Sequence, residues 1–145
     1  MARLIGLILW VTLFSCDNDL GTRNPYLQEI GFRFPMNLNL PLYSPLTNFG
    51  NPVFVDNPGI GTRGFFVIQA TIGQYRAFEA SCPNHAPNDC STLLLKGLTA
   101  TCSCENYEYS LFTGQLINRP DDGNRYYDML EYRATQSGNV VVVSN

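Results

Sequence analysis

The sequence predicts an all-β domain, and three observations carry that expectation. Polar and apolar residues alternate with a period of two in Phe32-Arg33-Phe34 and again in Asn37-Leu38-Asn39-Leu40. Pro35, Pro41, Pro45, Pro52 and Pro58 cut the same region into short pieces suited to sheet edges, because proline has no N–H to give to a ladder. Beyond the first apolar run, no segment sustains a helical period bounded by caps.

The chain begins with Met1-Ala2-Arg3, a minimal basic segment, followed by an apolar run over residues 4–14 interrupted only by Gly6 and Thr12. A bilayer span needs about 20 apolar residues, so this run reads as the hydrophobic part of a signal peptide covering residues 1–15. It ends in Leu13-Phe14-Ser15-Cys16, which resembles a bacterial lipobox. Cys16 is then the lipid-bearing first residue, and more than one acyl chain gives lasting membrane attachment. The expected location is the bacterial cell envelope, facing the periplasm or the exterior, with the membrane as a partner through Cys16. Residues 16–26 are polar, with Gly21 and Asn24-Pro25, and read as a tether. Residues 27–145 form the single domain that 145 residues allow.

Two hairpins stand out in that domain. Residues 64–70 and 74–80 flank a turn through Thr71 and Gly73, and residues 130–135 return as 140–143 after a turn at Gln136-Ser137-Gly138-Asn139. Between the hairpins lies the unusual chemistry. Of five cysteines and one histidine in the chain, four cysteines and the histidine fall in Cys82-Pro83-Asn84-His85-Ala86-Pro87-Asn88-Asp89-Cys90 and Cys102-Ser103-Cys104-Glu105. Such clustering means a metal centre or a disulfide pair. With Cys16 set aside, the remaining cysteines are even in number, in a compartment that permits disulfides.

The strand 75–80 leading into Ser81-Cys82-Pro83, and the segment Cys102-Ser103-Cys104-Glu105-Asn106-Tyr107-Glu108-Tyr109-Ser110-Leu111-Phe112-Thr113-Gly114, resemble the two ligand loops of the Rieske [2Fe–2S] domain family. The resemblance covers residues 64–143. It implies stacked antiparallel sheets carrying two cysteine-bearing loops within residues 81–114. It also implies Cys82 and Cys102 on one iron, His85 as the first ligand of the other, and a Cys90–Cys104 disulfide clamping the loops. Replacing two thiolates by neutral imidazoles raises the potential of such clusters.

The sequence departs from the family pattern at three places. Position 105, where a second histidine stands in the family, is glutamate. The spacing Cys82-Pro83-Asn84-His85 is one residue longer than the family's. Asn106 and Tyr107 replace a glycine and a serine. Three readings of the site stay open. In the first, a [2Fe–2S] cluster binds with Cys82 and Cys102 on one iron and His85 and Glu105 on the other. In the second there is no cofactor, and Cys82–Cys102 joins Cys90–Cys104 as a second staple, each contributing about 2–4 kcal/mol. In the third, Cys82, His85, Cys102 and Glu105 hold one zinc ion.

Other residues point to less. Asp121-Asp122-Gly123-Asn124 lacks the ligand spacing of a calcium loop and reads as a turn. The tyrosines, Tyr107, Tyr109, Tyr126 and Tyr127 among them, read as sheet and rim residues. Catalytic residues are not expected: no serine nucleophile, phosphate loop or basic aromatic patch appears, and Glu105 and Glu108 are not paired as acid and base. A net charge of −3 argues against nucleic acid as a partner. The expected function is electron transfer with a redox protein partner. The alternative is a clusterless, disulfide-stapled envelope protein that binds or assembles.

Overall fold

The computed structural model describes residues 23–145. The signal peptide over residues 1–15, the lipidation site Cys16 and most of the 16–26 tether lie outside the described residues. No helix among the described residues is long and apolar enough to cross a membrane.

Nine strands are described: β1 Arg33–Asn37, β2 Val53–Val55, β3 Phe65–Thr71, β4 Gln74–Glu79, β5 Leu94–Lys96, β6 Thr99–Thr101, β7 Glu108–Ser110, β8 Glu131–Ser137 and β9 Val140–Ser144. They form a six-stranded sheet in the order β1-β9-β8-β4-β3-β2 and a three-stranded sheet in the order β5-β6-β7. Every pairing is antiparallel. The protein is thus all-β, with two sheets and two cysteine-bearing loops, the Rieske-like arrangement that the resemblance implies.

The β3–β4 hairpin is the centre of the molecule because both of its faces are covered. Phe65, Val67, Tyr75 and Ala77 belong to one core cluster with Met36, Leu46, Tyr132, Val141 and Val143. Phe66, Ile68, Phe78 and Ala80 point the other way, into a second cluster with Leu93, Ala100, Tyr109, Leu111 and the two thiols Cys82 and Cys102. A strand buried on both faces needs a continuous apolar run, and Phe65-Phe66-Val67-Ile68 supplies it. Arg76 ties the layers together at the rim: its guanidinium grips the Glu131 carboxylate with bonds of 2.7 and 2.6 Å and donates to the Phe112 carbonyl at 2.6 Å.

One expected strand segment is not formed. Pro35 does lie in an edge strand, β1, but the alternation at 37–40 ends in a turn instead of a strand. The Asn37 side chain accepts the Asn39 N–H at 3.0 Å and its carbonyl accepts the Leu40 N–H at 3.0 Å, so local hydrogen bonds win over the ladder just before Pro41. The chain also joins the body earlier than residue 27. Asn24 Oδ1 accepts the N–H groups of Tyr26 and Leu27, and its Nδ2 donates to the Pro83 carbonyl at 2.8 Å. The turn expected at 121–124 is present, with Asp122 accepting from the Asn124 backbone and the Tyr126 hydroxyl.

Candidate metal centre

The first loop leaves β4 at Glu79, whose fully buried carboxylate organises the exit. Glu79 Oε1 accepts the N–H groups of Arg63 and Ser81 at 2.9 Å each, and Oε2 accepts the Thr62 N–H and the Tyr132 hydroxyl at 2.6 Å each. Four donors satisfy a carboxylate that would otherwise be costly to bury. Tyr132 titrates far above its ordinary range, because burial and the adjacent Glu79 charge both oppose its ionisation. The chain then pairs across its own loop: Cys82 N–H donates to the Ser91 carbonyl and Leu93 N–H to the Ala80 carbonyl, both at 2.8 Å. Cys82 is thereby fixed at a rigid base while residues 84–90 project.

The second loop joins β6 to β7. Cys102 N–H donates to the Tyr107 carbonyl at 2.8 Å, and Asn106 N–H returns to the Cys102 carbonyl at 3.0 Å. Asn106 has φ 60°, the left-handed region that glycine favours and asparagine tolerates. Asparagine therefore fits this turn at the position where the family pattern has glycine. Asn118 props the loop from outside, accepting the Glu108 N–H and donating to the Asn106 carbonyl, each at 2.8 Å. A Cys90–Cys104 disulfide with Cα atoms 5.5 Å apart joins the two loops, as the resemblance implies.

Cys82, His85, Cys102 and Glu105 come together beneath that disulfide. Their ligand atoms all lie within 4.8 Å of one another, so the group could hold a metal ion. Both thiols are fully buried and free, so the second staple Cys82–Cys102 is not formed. The neighbouring thiols act on each other: Cys102 holds the Cys82 thiol below its ordinary range, and Cys82 together with burial pushes the Cys102 thiol far above it. His85 Nε2 lies 3.3 Å from Cys102 Sγ and 3.2 Å from Glu105 Oε2, and Cys102 Sγ lies 3.1 Å from the same oxygen. His85 Nδ1 faces the Ala86 carbonyl at 2.9 Å, which places the proton on Nδ1 and aims Nε2 inward. Burial opposes protonation of this ring, but the Ala86 carbonyl, Cys102 and Glu105 outweigh it and raise its pKa. The His85 and Glu105 side chains are 14 % and 36 % exposed, so the centre opens to solvent on their side.

Two contributors are invisible in the sequence reading. Tyr109, expected as a sheet residue, is in the sheet, yet it also reaches the site: its hydroxyl lies 3.7 Å from Cys82 Sγ. Asn84 Nδ2 donates to that hydroxyl at 2.8 Å, and once Cys82 is a thiolate the Tyr109 O–H is the donor to the sulfur. Asn84 is one of the two residues between Cys82 and His85, and it also brackets Tyr127, accepting its N–H at 2.7 Å and donating to its carbonyl at 2.8 Å. The lengthened loop is therefore held by a structural post rather than left slack. The only hint in the sequence is the odd spacing itself.

The donor set suits a metal, with two sulfurs that become thiolates, one imidazole and one carboxylate. The distances suit one ion better than two. Donors 2.0–2.3 Å from a tetrahedral metal stand about 3.4–3.8 Å apart. His85 Nε2 and Glu105 Oε2 sit at 3.3 and 3.1 Å from Cys102 Sγ, within a few tenths of an ångström of that spacing. In a two-iron cluster the second metal and the bridging sulfides separate the donors of opposite irons, so the His85–Glu105 pair would have to withdraw from Cys102. As arranged, the residues do not fit the two-iron group.

No family model and no curated protein matches the chain. Among solved structures, it is similar to the plasma membrane Rieske protein PetC3 from Synechocystis PCC 6803, with 21 % identity and a TM-score of 0.47, over 63 % of this chain and 84 % of that one. It is also similar to a chain of the oxygenase–ferredoxin complex of carbazole 1,9a-dioxygenase, with 15 % identity and a TM-score of 0.49. That match covers 79 % of this chain and 29 % of the other, so the chain spans less than a third of that neighbour's length.

Proposed function

We propose that the chain is a Rieske-like, lipid-anchored redox protein of the bacterial envelope, which passes single electrons to and from a protein partner at a metal centre. The observation that carries this reading is the convergence of two buried free thiols, one imidazole and one carboxylate under a disulfide clamp. The sequence resemblance implies a [2Fe–2S] cluster, with Cys82 and Cys102 on one iron and His85 and Glu105 on the other, whereas the donor separations favour a single iron held by the same four residues. A bound iron centre supplies a one-electron couple. The protein's own residues do the rest: the thiols anchor, the Tyr109 hydroxyl stabilises negative sulfur, and the His85–Glu105 edge meets the partner. Lipidation at Cys16 keeps the domain on one membrane face. The alternative, a clusterless stapled domain, expects two disulfides, whereas Cys90–Cys104 is the one formed among the described residues.

Position 105 tests the reading. Glu105→Gln weakens the fourth ligand and bleaches the visible absorption of the iron-loaded protein, while Glu105→His retains colour and raises the potential, because a neutral imidazole replaces a carboxylate. Absence of colour in the native protein and in both variants would defeat the metal-redox reading. Tyr109→Phe keeps the metal but removes a hydrogen bond to sulfur that stabilises the more negative, reduced state. Its midpoint potential, read by voltammetry, falls by the equivalent of about 1 kcal/mol.

A further inference from the structure

Resting on the reading of Cys82, His85, Cys102 and Glu105 as a metal centre, we infer that the centre holds one tetrahedral ion of the iron(II) and zinc(II) class and no bridging sulfide. The four ligands are Cys82 Sγ, Cys102 Sγ, His85 Nε2 and a Glu105 carboxylate oxygen.

Four features point the same way. The first is separation: His85 Nε2, Glu105 Oε2 and Cys102 Sγ form a triangle with sides of 3.2, 3.3 and 3.1 Å, and Cys82 Sγ completes the group with every ligand pair within 4.8 Å. One metal satisfies all four donors once the triangle opens by a few tenths of an ångström and Cys82 Sγ closes in from a separation of up to 4.8 Å, whereas two metals require the triangle to break. The second is sequence spacing. Cys82-Pro83-Asn84-His85 departs from the two-iron pattern by one residue, and the two residues it places between ligands are a spacing that lets a short loop put both of its ligands on one tetrahedral ion. Within that loop, Asn84 is locked in place by Tyr109 and Tyr127.

The third feature is outer support. The inward-facing His85 nitrogen is Nε2, because Nδ1 is held by the Ala86 carbonyl at 2.9 Å. Such a second hydrogen bond orients a ligating imidazole and increases its basicity. The fourth is charge. Two thiolates and a carboxylate around a divalent ion leave one net negative charge, and the site answers it with the Tyr109 hydroxyl and with solvent at the Glu105 edge. On binding, each thiol loses its proton to solvent, and no electron changes hands.

The test uses the full-length exported protein. Iron, zinc and acid-labile sulfide are counted per chain, and chelator-stripped protein is then titrated with cobalt(II) alone. We expect one metal and no sulfide per chain. Cobalt should bind one to one, with the intense visible d–d absorption of a tetrahedral site and a near-ultraviolet thiolate-to-metal band. His85→Ala should retain the thiolate band but shift the d–d absorption and weaken cobalt binding at least about tenfold. Glu105→Gln, at a partly exposed position that tolerates substitution, should give the same pattern. Two irons and two sulfides per chain would overturn the inference and leave the electron-carrier proposal standing. One zinc per chain would uphold the inference and overturn electron transfer. A folded protein that takes up neither its own metal nor cobalt would overturn both.

Discussion

Replacing Glu79 by glutamine lowers the unfolding free energy by about 3–4 kcal/mol and loosens the first ligand loop. The carboxylate is fully buried and faces donors only: three backbone N–H groups and the Tyr132 hydroxyl. A glutamine carbonyl can keep the two donors on one side. Its amide nitrogen then confronts the Thr62 N–H on the other, leaving a buried donor without an acceptor and removing the charge that strengthens every bond in the set. The Ser81 N–H is among the four donors, so the disturbance reaches the residue beside Cys82. Urea denaturation of the folded variant, followed by circular dichroism, should show an earlier midpoint with an unchanged slope. A change below about 1 kcal/mol would mean that the loop over residues 56–64 holds its shape without this carboxylate.

The double replacement Cys90→Ala with Cys104→Ala has the second large expected effect, a loss of about 3 kcal/mol. The bond closes a loop with a sequence separation of 14, and the chain-entropy cost of leaving that loop open in the unfolded state gives this size. The effect on the site is separable from stability. Cys90 is exposed and Cys104 half-buried, while Cys82 and Cys102 are held by backbone bonds to Ser91 and Tyr107. At a temperature where the variant is fully folded, the thiols should stay in place while the His85 and Glu105 arms gain freedom. Metal affinity should fall, and the solvent reactivity of Cys102 in the metal-free protein should rise. Unchanged stability under oxidising conditions would show that the loops are organised by their hydrogen bonds alone.

The sequence by itself determined the all-β class, both hairpins and the region where chemistry gathers. These are local or periodic properties. The run Phe65 to Ile68 and the answering residues of β4 specify a hairpin buried on both faces, and the turns at Gly73 and Gly138 lie where the pattern breaks. Cysteine content and spacing likewise mark the two loops, and the resemblance they support implies the Cys90–Cys104 clamp. The alternation at residues 37–40 misled because an asparagine side chain can close a turn as readily as a strand can take its backbone.

What only the tertiary structure decided is how the donors stand to one another. Whether Cys82 and Cys102 are a staple or a pair of free thiols depends on the relative placement of two loops that leave different sheets. Spacing along either loop does not contain that information. Nor does the sequence show that Tyr109, on β7, turns its hydroxyl toward Cys82, or that Asn84 makes the lengthened loop a fixed post, since both depend on cross-sheet packing. The 3.1–3.3 Å separations among Cys102, His85 and Glu105 belong to the same class of fact. Donor identity is written in the chain, but the distance between donors is set by the layers that carry them.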